Sequence, residues 1–181
     1  NIVLICSDQH RYDCIGINSI KGVKTPNLDK IAKEGVNFKH AFTPCPVCTP
    51  SRVSMLTSQW SFNHGLVTIP EWTELKLPDW TSNHISFTKI LKENGYSLAH
   101  IGKWHSCSTA FKNENPSPID VGFDEFTPES NYYRYCIENG INSVHLEPAP
   151  SQKPIDRWGD RIDKNINSVQ SRLHWGADCV I

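Results

Sequence analysis

The sequence predicts an α/β fold in which a mostly parallel central sheet is flanked by helices. An apolar run rich in β-branched residues opens the chain at Asn1–Ser7 and predicts a buried strand. A second strand pattern follows at Tyr96–Ile101, and segments with helix start and stop signals lie between the two. Because ligands bind at the carboxyl edge of such sheets, we expect functional side chains directly after these strands, at Asp8 and at Gly102–His105.

Capping and breaker residues set the predicted helices. The first predicted helix is Thr25–Gly35, with Pro26 in its first turn and an apolar face of Leu28, Ile31 and Ala32. The second is Pro50–Thr57. The third is capped by Ser86 and stopped by Gly95, with Phe87, Ile90 and Leu91 facing inward. Val36–Phe42 alternates in polarity as a strand does, and Ser58–Ser82 has little periodicity and is predicted to be a long loop. Later segments are predicted to be a tyrosine-rich rim or pocket wall at Asn131–Cys136, an extended stretch at Ser143–Pro154 and a helix from about Arg161.

Composition excludes several classes of protein. The 181 residues suffice for one domain, and the net charge of −1 with dispersed basic residues argues against a nucleic-acid surface. No apolar stretch approaches the roughly 18 residues of a membrane span, so no membrane partner is expected. Seven cysteines without repeated spacing argue against a disulfide framework. Together with the lack of a leader pattern, this favours the cytoplasm over secretion or the periplasm, although the localisation stays open.

The segment Cys48-Thr49-Pro50-Ser51-Arg52 is the most informative part of the chain. Proline fits the first turn of a helix, so Cys48 is expected just before a helix start, where unpaired N–H groups and the helix dipole favour an anion. Arg52 lies one turn later and can pair with a tetrahedral oxyanion. The segment therefore predicts a reactive side chain in an anion-binding cradle.

This pentapeptide resembles the Cys-x-Pro-Ser-Arg signature of the sulfatase family, within the alkaline phosphatase-like superfamily. Further segments resemble motifs of that family in the same order along the chain: Asn1–Gln9, Thr25–Asp29, Gly102–His105 and Gly122–Phe126. One position departs from the pattern, because the family usually has Thr-Gly after the helix and this chain has Thr57-Ser58. His64-Gly65 also resembles a family position, which we interpret as structural. The tryptophans Trp60, Trp72, Trp80 and Trp104 are expected to pack in the core or at a rim.

The resemblance implies a sulfuric ester hydrolase that releases inorganic sulfate from a small-molecule or saccharide sulfate ester. It implies that a formylglycine-generating enzyme converts Cys48 to formylglycine, and that Arg52, Lys103 and His105 complete the catalytic set. Asp8, Gln9 and the side chain at position 48 would bind a divalent metal, Ca²⁺ first and Mn²⁺ or Mg²⁺ as alternatives. Lys103 and His105 are two residues apart at a strand end, so they are expected to point the same way.

The sequence also leads us to expect that residues 1–181 are the N-terminal portion of a sulfatase catalytic domain whose C-terminal part is absent. The Asp-Asn or Asp-His pair that completes the family's metal site does not occur after Gly122. Ca²⁺ prefers six or more oxygen ligands, so this portion alone is expected to bind metal poorly and to be inactive.

Alternative functions stay open at this stage. One is a phosphonate monoester or phosphodiester hydrolase of the same superfamily, which the pair Asp8-Gln9 favours slightly, because Gln occurs at that position in such relatives. Another is a non-catalytic scaffold or binding module. A redox or zinc site at Cys45-Pro46-Val47-Cys48 is the least favoured, since the chain has neither a thioredoxin-like context nor a second Cys pair.

Overall fold

A computed structural model describes residues 1–8, 10–19, 22–109 and 115–140 of the chain. These residues belong to two compact units. The first comprises Asn1–Asp8, His100–Lys103 and the segment that begins at Phe126, and the second comprises Gln9–Ala99 and Trp104–Glu125. The predictions for Gln9, for Ser143–Pro154 and for a helix from Arg161 lie outside the described residues.

Helices dominate the described part of the chain. They are α1 (Pro26–Glu34), α2 (Cys48–Thr57), α3 (Ser61–His64), α4 (Phe87–Glu93) and α5 (Glu129–Glu138), with short 3-10 turns between them, and the strands are β1 (Ala99–Ile101) and β2 (Glu125–Thr127). The predicted bounds of the first and third helices are confirmed. The predicted tyrosine-rich rim at Asn131–Cys136 is helical, within α5. None of the helices in the described ranges is long and apolar enough to cross a bilayer.

The two strands pair in parallel. Asp124 N–H donates to the Leu98 carbonyl at one end, and Gly102 N–H donates to the Thr127 carbonyl at the other, so both strands run in the same direction. This small parallel sheet with its helices confirms the predicted α/β class. The second predicted strand, Tyr96–Ile101, is present only as its last three residues, β1.

Two other predicted strands are wrong in the described structure. Neither Asn1–Ser7 nor Val36–Phe42 is assigned to a strand. The apolar side chains of Ile2–Ile5 are 51–81% exposed, so the first run is not buried as predicted, and in the second run Phe42 is 88% exposed. A strand requires a hydrogen-bonded neighbour, and among the described residues only β1 and β2 supply one to each other.

Helix α1 is fixed to the turn before it by the carboxylate of Asp29. This carboxylate accepts hydrogen bonds from Ile17 N–H at 2.8 Å and from the Thr25 hydroxyl at 2.9 Å. Thr25 in turn accepts from Gly16 N–H at 2.7 Å. Its hydroxyl therefore ties two backbone segments together, and it makes no capping bond to an N–H group of the helix. The Thr-Pro-Asn-Leu-Asp segment thus works as a local clamp.

The second unit has a core that continues through the predicted loop at Ser58–Ser82. That segment contains α3 and two 3-10 turns, and it supplies several buried apolar side chains, so the prediction of a long loop without regular structure is wrong. The buried apolar residues of this unit are Val53, Leu56, Leu66, Ile69, Leu77, Trp80, Trp104, Cys107, Val121 and Phe123. The core therefore joins α2 to the segment that follows β1.

Helix α4 buries a different face from the predicted one. Ser86 caps it as predicted, by accepting from Lys89 N–H. Ile90 is 50% exposed, however, whereas Thr88 is fully buried and its hydroxyl donates to the Val121 carbonyl at 2.5 Å. Hydrogen bonding of a polar side chain thus decides which side of this helix faces inward.

Candidate active site

Cys48 is the first residue of α2. The helix begins two residues earlier than predicted, so Cys48 lies within its first turn rather than before it. The preceding residue, Val47, is extended with φ −126° and ψ 139°, and its carbonyl accepts the first helical bond, from Ser51 N–H at 3.0 Å. Cys48 is half-buried, and it lies at the positive end of the helix dipole.

The loop before α2 is attached to the helix by hydroxyl groups. The Thr43 hydroxyl donates to the Cys45 carbonyl at 2.9 Å and shares a 2.9 Å hydrogen bond with the Ser51 hydroxyl. Arg52 follows Ser51 on α2 and is half-buried. Cys45 and Cys48 are not joined by a disulfide, the observation that would have favoured a redox site. The helix thus carries Cys48 and Arg52 together, one turn apart.

Asp8 and Lys103 form an ion pair in the other unit. Lys103 Nζ lies 2.5 Å from Asp8 Oδ2, and their side chains are only 14% and 9% exposed. Lys103 follows β1 through Gly102, whose φ of 97° is favourable only for glycine. His100 Nε2 donates to the Lys103 carbonyl at 3.2 Å, and the His100 ring packs against Phe126. These contacts fix the backbone that presents the lysine.

His105 is buried, with 4% exposure, and its backbone is left-handed with φ 46°. A non-glycine residue in this conformation costs about 1–2 kcal/mol, so the surrounding packing has to hold it there. The strand ends at Ile101, and neither Gly102 nor His105 is extended. The strand alternation from which we predicted that Lys103 and His105 point the same way is therefore absent, because alternation applies only to extended backbone.

Two indole groups hold the segment around His105. Trp80 Nε1 donates to the Ser106 carbonyl at 2.8 Å, and Trp104 Nε1 donates to the Pro116 carbonyl at 2.7 Å. The Trp104 ring also makes an edge contact with Phe123. Trp80 and Trp104 are therefore core residues, as expected, whereas Trp60 and Trp72 are at least half exposed. The sequence led us to expect tryptophans in the core or at a rim, but it does not identify the carbonyl groups to which their N–H groups donate.

The described residues do not by themselves fit the expected metal. They contain no cluster of three or more His, Cys, Asp or Glu side chains suited to a metal ion. Asp8 provides a carboxylate, and the ammonium group of Lys103 already lies against it. A Ca²⁺ ion needs six or more oxygen ligands, so Asp8 would be one ligand among several from outside the described ranges.

A groove of about 650 Å³ runs beside α2, on a face that carries no predicted site residue. It is lined by Ala41, Phe42, Thr43, Pro44, Ser51, Ser54, Met55, Ser58, Gln59 and Trp60. Cys48 and Arg52 are absent from this lining, so the groove is separate from the predicted reactive side chain.

The family model described as Sulfatase matches residues 1–172. The chain belongs to the sulfatase family. The Ulvan-active sulfatase of Formosa agariphila is 39% identical over 124 residues, covering 68% of this chain and 23% of that protein. Human Arylsulfatase D is 33% identical over 135 residues, covering 70% of this chain and 22% of that protein. The sulfatase chain thus spans about a quarter of the length of these curated relatives.

A solved structure agrees with this assignment. The crystal structure of Ps i-CgsB matches with a TM-score of 0.52 and 25% identity, covering 73% of this chain and 30% of that one. The fold prediction, an α/β arrangement of sulfatase type, is thereby confirmed. Candidate site residues lie together in two places: Cys48 and Arg52 are on α2, and Lys103, which follows β1, lies against Asp8.

Proposed function

We propose that this chain carries the N-terminal part of the catalytic centre of a sulfuric ester hydrolase, with formylglycine formed from Cys48 as its nucleophile. The observation that carries the proposal is the position of Cys48 as the first residue of α2, with Arg52 one turn later. A helix start supplies N–H groups and a positive dipole end, which stabilise the negative charge of a sulfate group and of a developing oxyanion.

The hydrated aldehyde would supply two hydroxyl groups. One attacks sulfur, and the S–O bond of the ester breaks as its oxygen leaves with a proton as the alcohol. Deprotonation of the second hydroxyl regenerates the aldehyde and breaks the C–O bond to the sulfated oxygen, which releases sulfate. In this proposal Arg52 pairs with the oxyanion, and Lys103 contacts the sulfate group. His105 accepts the proton in the release step. The strained backbone of His105 supports this role, since strained residues held by their surroundings concentrate at functional sites.

For the substrate we propose a sulfate ester of a small molecule or a saccharide, released as inorganic sulfate. The names of the two curated relatives, one active on ulvan and one an arylsulfatase, support both classes of ester. Asp8, Gln9 and the side chain at position 48 stay predicted ligands of a divalent metal, with Ca²⁺ favoured over Mn²⁺ and Mg²⁺ by analogy with the family. A formylglycine-generating enzyme is the partner that the proposal requires.

Mass spectrometry and a matched pair of cysteine variants test the proposal. The longest natural chain that carries this sequence is produced in a host with a formylglycine-generating enzyme. We expect the peptide containing Cys48 to show the aldehyde in place of the thiol. Cys48→Ala should abolish release of sulfate from an aryl sulfate, whereas Cys45→Ala, three residues earlier in the loop before α2, should retain it. Equal loss in both variants would refute the assignment of the nucleophile.

A substrate comparison separates the alternatives. Turnover of an aryl sulfate should exceed that of the matching aryl phosphonate in the same preparation. A reversed order would favour the phosphonate monoester or phosphodiester hydrolase. An unconverted thiol at Cys48, with no turnover of either substrate, would favour a non-catalytic scaffold.

A further inference from the structure

His64 lies at the end of α3 and is buried, with only 2% exposure. Its ring joins α3 to α2. His64 Nε2 is 2.9 Å from the Ser54 hydroxyl, and Nδ1 accepts a hydrogen bond from Leu66 N–H at 3.2 Å. The Pro50 backbone, near the ring, acts on its pKa in the direction that favours protonation, but more weakly than burial acts against it. The ring therefore spans from the turn after α3 to the first turns of α2.

These bonds determine where the ring proton lies. A backbone N–H only donates, so Nδ1 must accept and the neutral ring carries its proton on Nε2. Nε2 then donates to the Ser54 hydroxyl. Burial, followed by the nearby His84, lowers the pKa of His64 below its usual 6.5, which favours this neutral form. Ser54 and His64 are therefore not a nucleophile and its base.

The turn that presents His64 is itself firmly packed. Leu66 is fully buried, and Gly65 is left-handed with φ 78°. A Cβ atom at Gly65 would lie 2.6 Å from the Pro78 ring, so this backbone already contacts its neighbour closely. A ring anchored on such a turn can restrain the helix to which it donates.

We propose that His64 is a positioning residue that orients the first turns of α2, and with them Cys48 and Arg52. Its partner on α2, Ser54, lies two residues after Arg52 and six after Cys48 on the same helix. This inference rests on the proposed sulfatase function. A displacement of about 1 Å at a reacting group can cost on the order of 100-fold in rate, so loss of this restraint should lower kcat by roughly 10- to 100-fold.

Two substitutions of His64 separate positioning from simple packing. In His64→Asn the side-chain oxygen can still accept from Leu66 N–H, but no donor reaches Ser54. In His64→Gln the longer amide can donate to the Ser54 hydroxyl. His84→Asn is the matched control, because the hydrogen bond of His84 goes to the Asn63 carbonyl in α3 and not to α2. The assay is kcat and KM for an aryl sulfate with the full natural chain, normalised to aldehyde content at position 48.

We expect kcat of His64→Asn to be 10- to 100-fold below that of the wild type, with KM changed less than about threefold. His64→Gln should recover most of the lost kcat. His84→Asn should match the wild type. His64→Asn with kcat within twofold of the wild type, or His64→Gln as impaired as His64→Asn, would overturn the proposal. Hydrogen exchange provides a readout that does not require activity: amides of Ser51–Ser54 should exchange faster in His64→Asn, while those of α4 should not. A wild-type protein without sulfate release would refute the proposed function, and unchanged exchange would refute the role of His64 separately.

Discussion

The buried hydrogen bond from Trp80 to the Ser106 carbonyl is expected to be a major contribution to the stability of the second unit. Trp80 is 1% exposed, as is Ser106, and the bond links residues 26 positions apart at 2.8 Å. In Trp80→Phe an aromatic ring remains, but the donor is lost and a buried carbonyl is left unsatisfied, which costs about 1–3 kcal/mol. The smaller ring leaves roughly 40 Å³ unfilled, which adds about 1 kcal/mol. The free energy of unfolding should therefore fall by about 2–4 kcal/mol.

Urea unfolding followed by far-UV circular dichroism measures this change without relying on tryptophan fluorescence. Trp60→Phe is the matched control, since Trp60 is 58% exposed and its stacking against Phe62 is retained by a phenyl ring. We expect the control to lie within about 0.5 kcal/mol of the wild type. The m-values of both variants should be unchanged, so that the shift in midpoint reports stability.

Equal unfolding free energies for Trp80→Phe and Trp60→Phe would refute the reasoning. That result would mean that the indole N–H contributes nothing beyond ring packing. Because Ser106 directly follows His105, Trp80→Phe should also reduce any sulfate ester hydrolysis more than Trp60→Phe does.

Three further predictions concern α2 and its neighbour. Ser58→Gly should raise the free energy of unfolding by about 0.5–1 kcal/mol, because Ser58 ends α2 with φ 56°, a region that glycine adopts without cost. Chemical denaturation measures this change, and a lower free energy of unfolding in the variant would contradict the prediction. Thr49→Val should be neutral or stabilising by about 1 kcal/mol, since the buried Thr49 hydroxyl has no hydrogen-bond partner among the described residues. Thr57→Val should cost about 1 kcal/mol, because that hydroxyl donates to the Val53 carbonyl, and the opposite order in thermal unfolding would refute both assignments. The lowered pKa of His64 implies that below pH 6.5 the unfolded chain binds a proton that the folded chain does not. The free energy of unfolding should therefore fall as the pH decreases from about 7.5 to 5, by up to roughly 1.4 kcal/mol per pH unit. His64→Gln should flatten this slope, and parallel slopes for the variant and the wild type would contradict the prediction.

Local signals in the sequence predicted the helices well. The N-terminal proline of α1, its glycine stop and the Ser86 cap of α4 each act within one helical turn, so their effect can be inferred without knowing the rest of the fold. The same holds for the placement of Cys48 near the start of α2, which the proline at position 50 signals. The error of two residues at this helix start is within the uncertainty of any helix boundary.

Strands and inward faces could not be predicted in the same way, because they depend on distant partners. The runs at Asn1–Ser7 and Val36–Phe42 have the composition of strands, yet a ladder forms only where a second backbone is in register. Similarly, nothing in α4 itself shows that Thr88 will be buried. That outcome requires the Val121 carbonyl, 33 residues away, as the acceptor for its hydroxyl.

The candidate site shows the same division between local and distant determinants. The candidate residues were predicted from their motifs, whereas the hydrogen bonds next to two of them come from distant donors: Trp80 binds the carbonyl of Ser106, after His105, and His64 binds Ser54 on α2. In both cases a buried ring donates to the element that carries a predicted catalytic residue. A buried donor without its acceptor is costly, so each ring favours the single backbone arrangement that supplies one. Substitution of these rings should therefore change the rate of the reaction even though neither ring is predicted to contact the substrate.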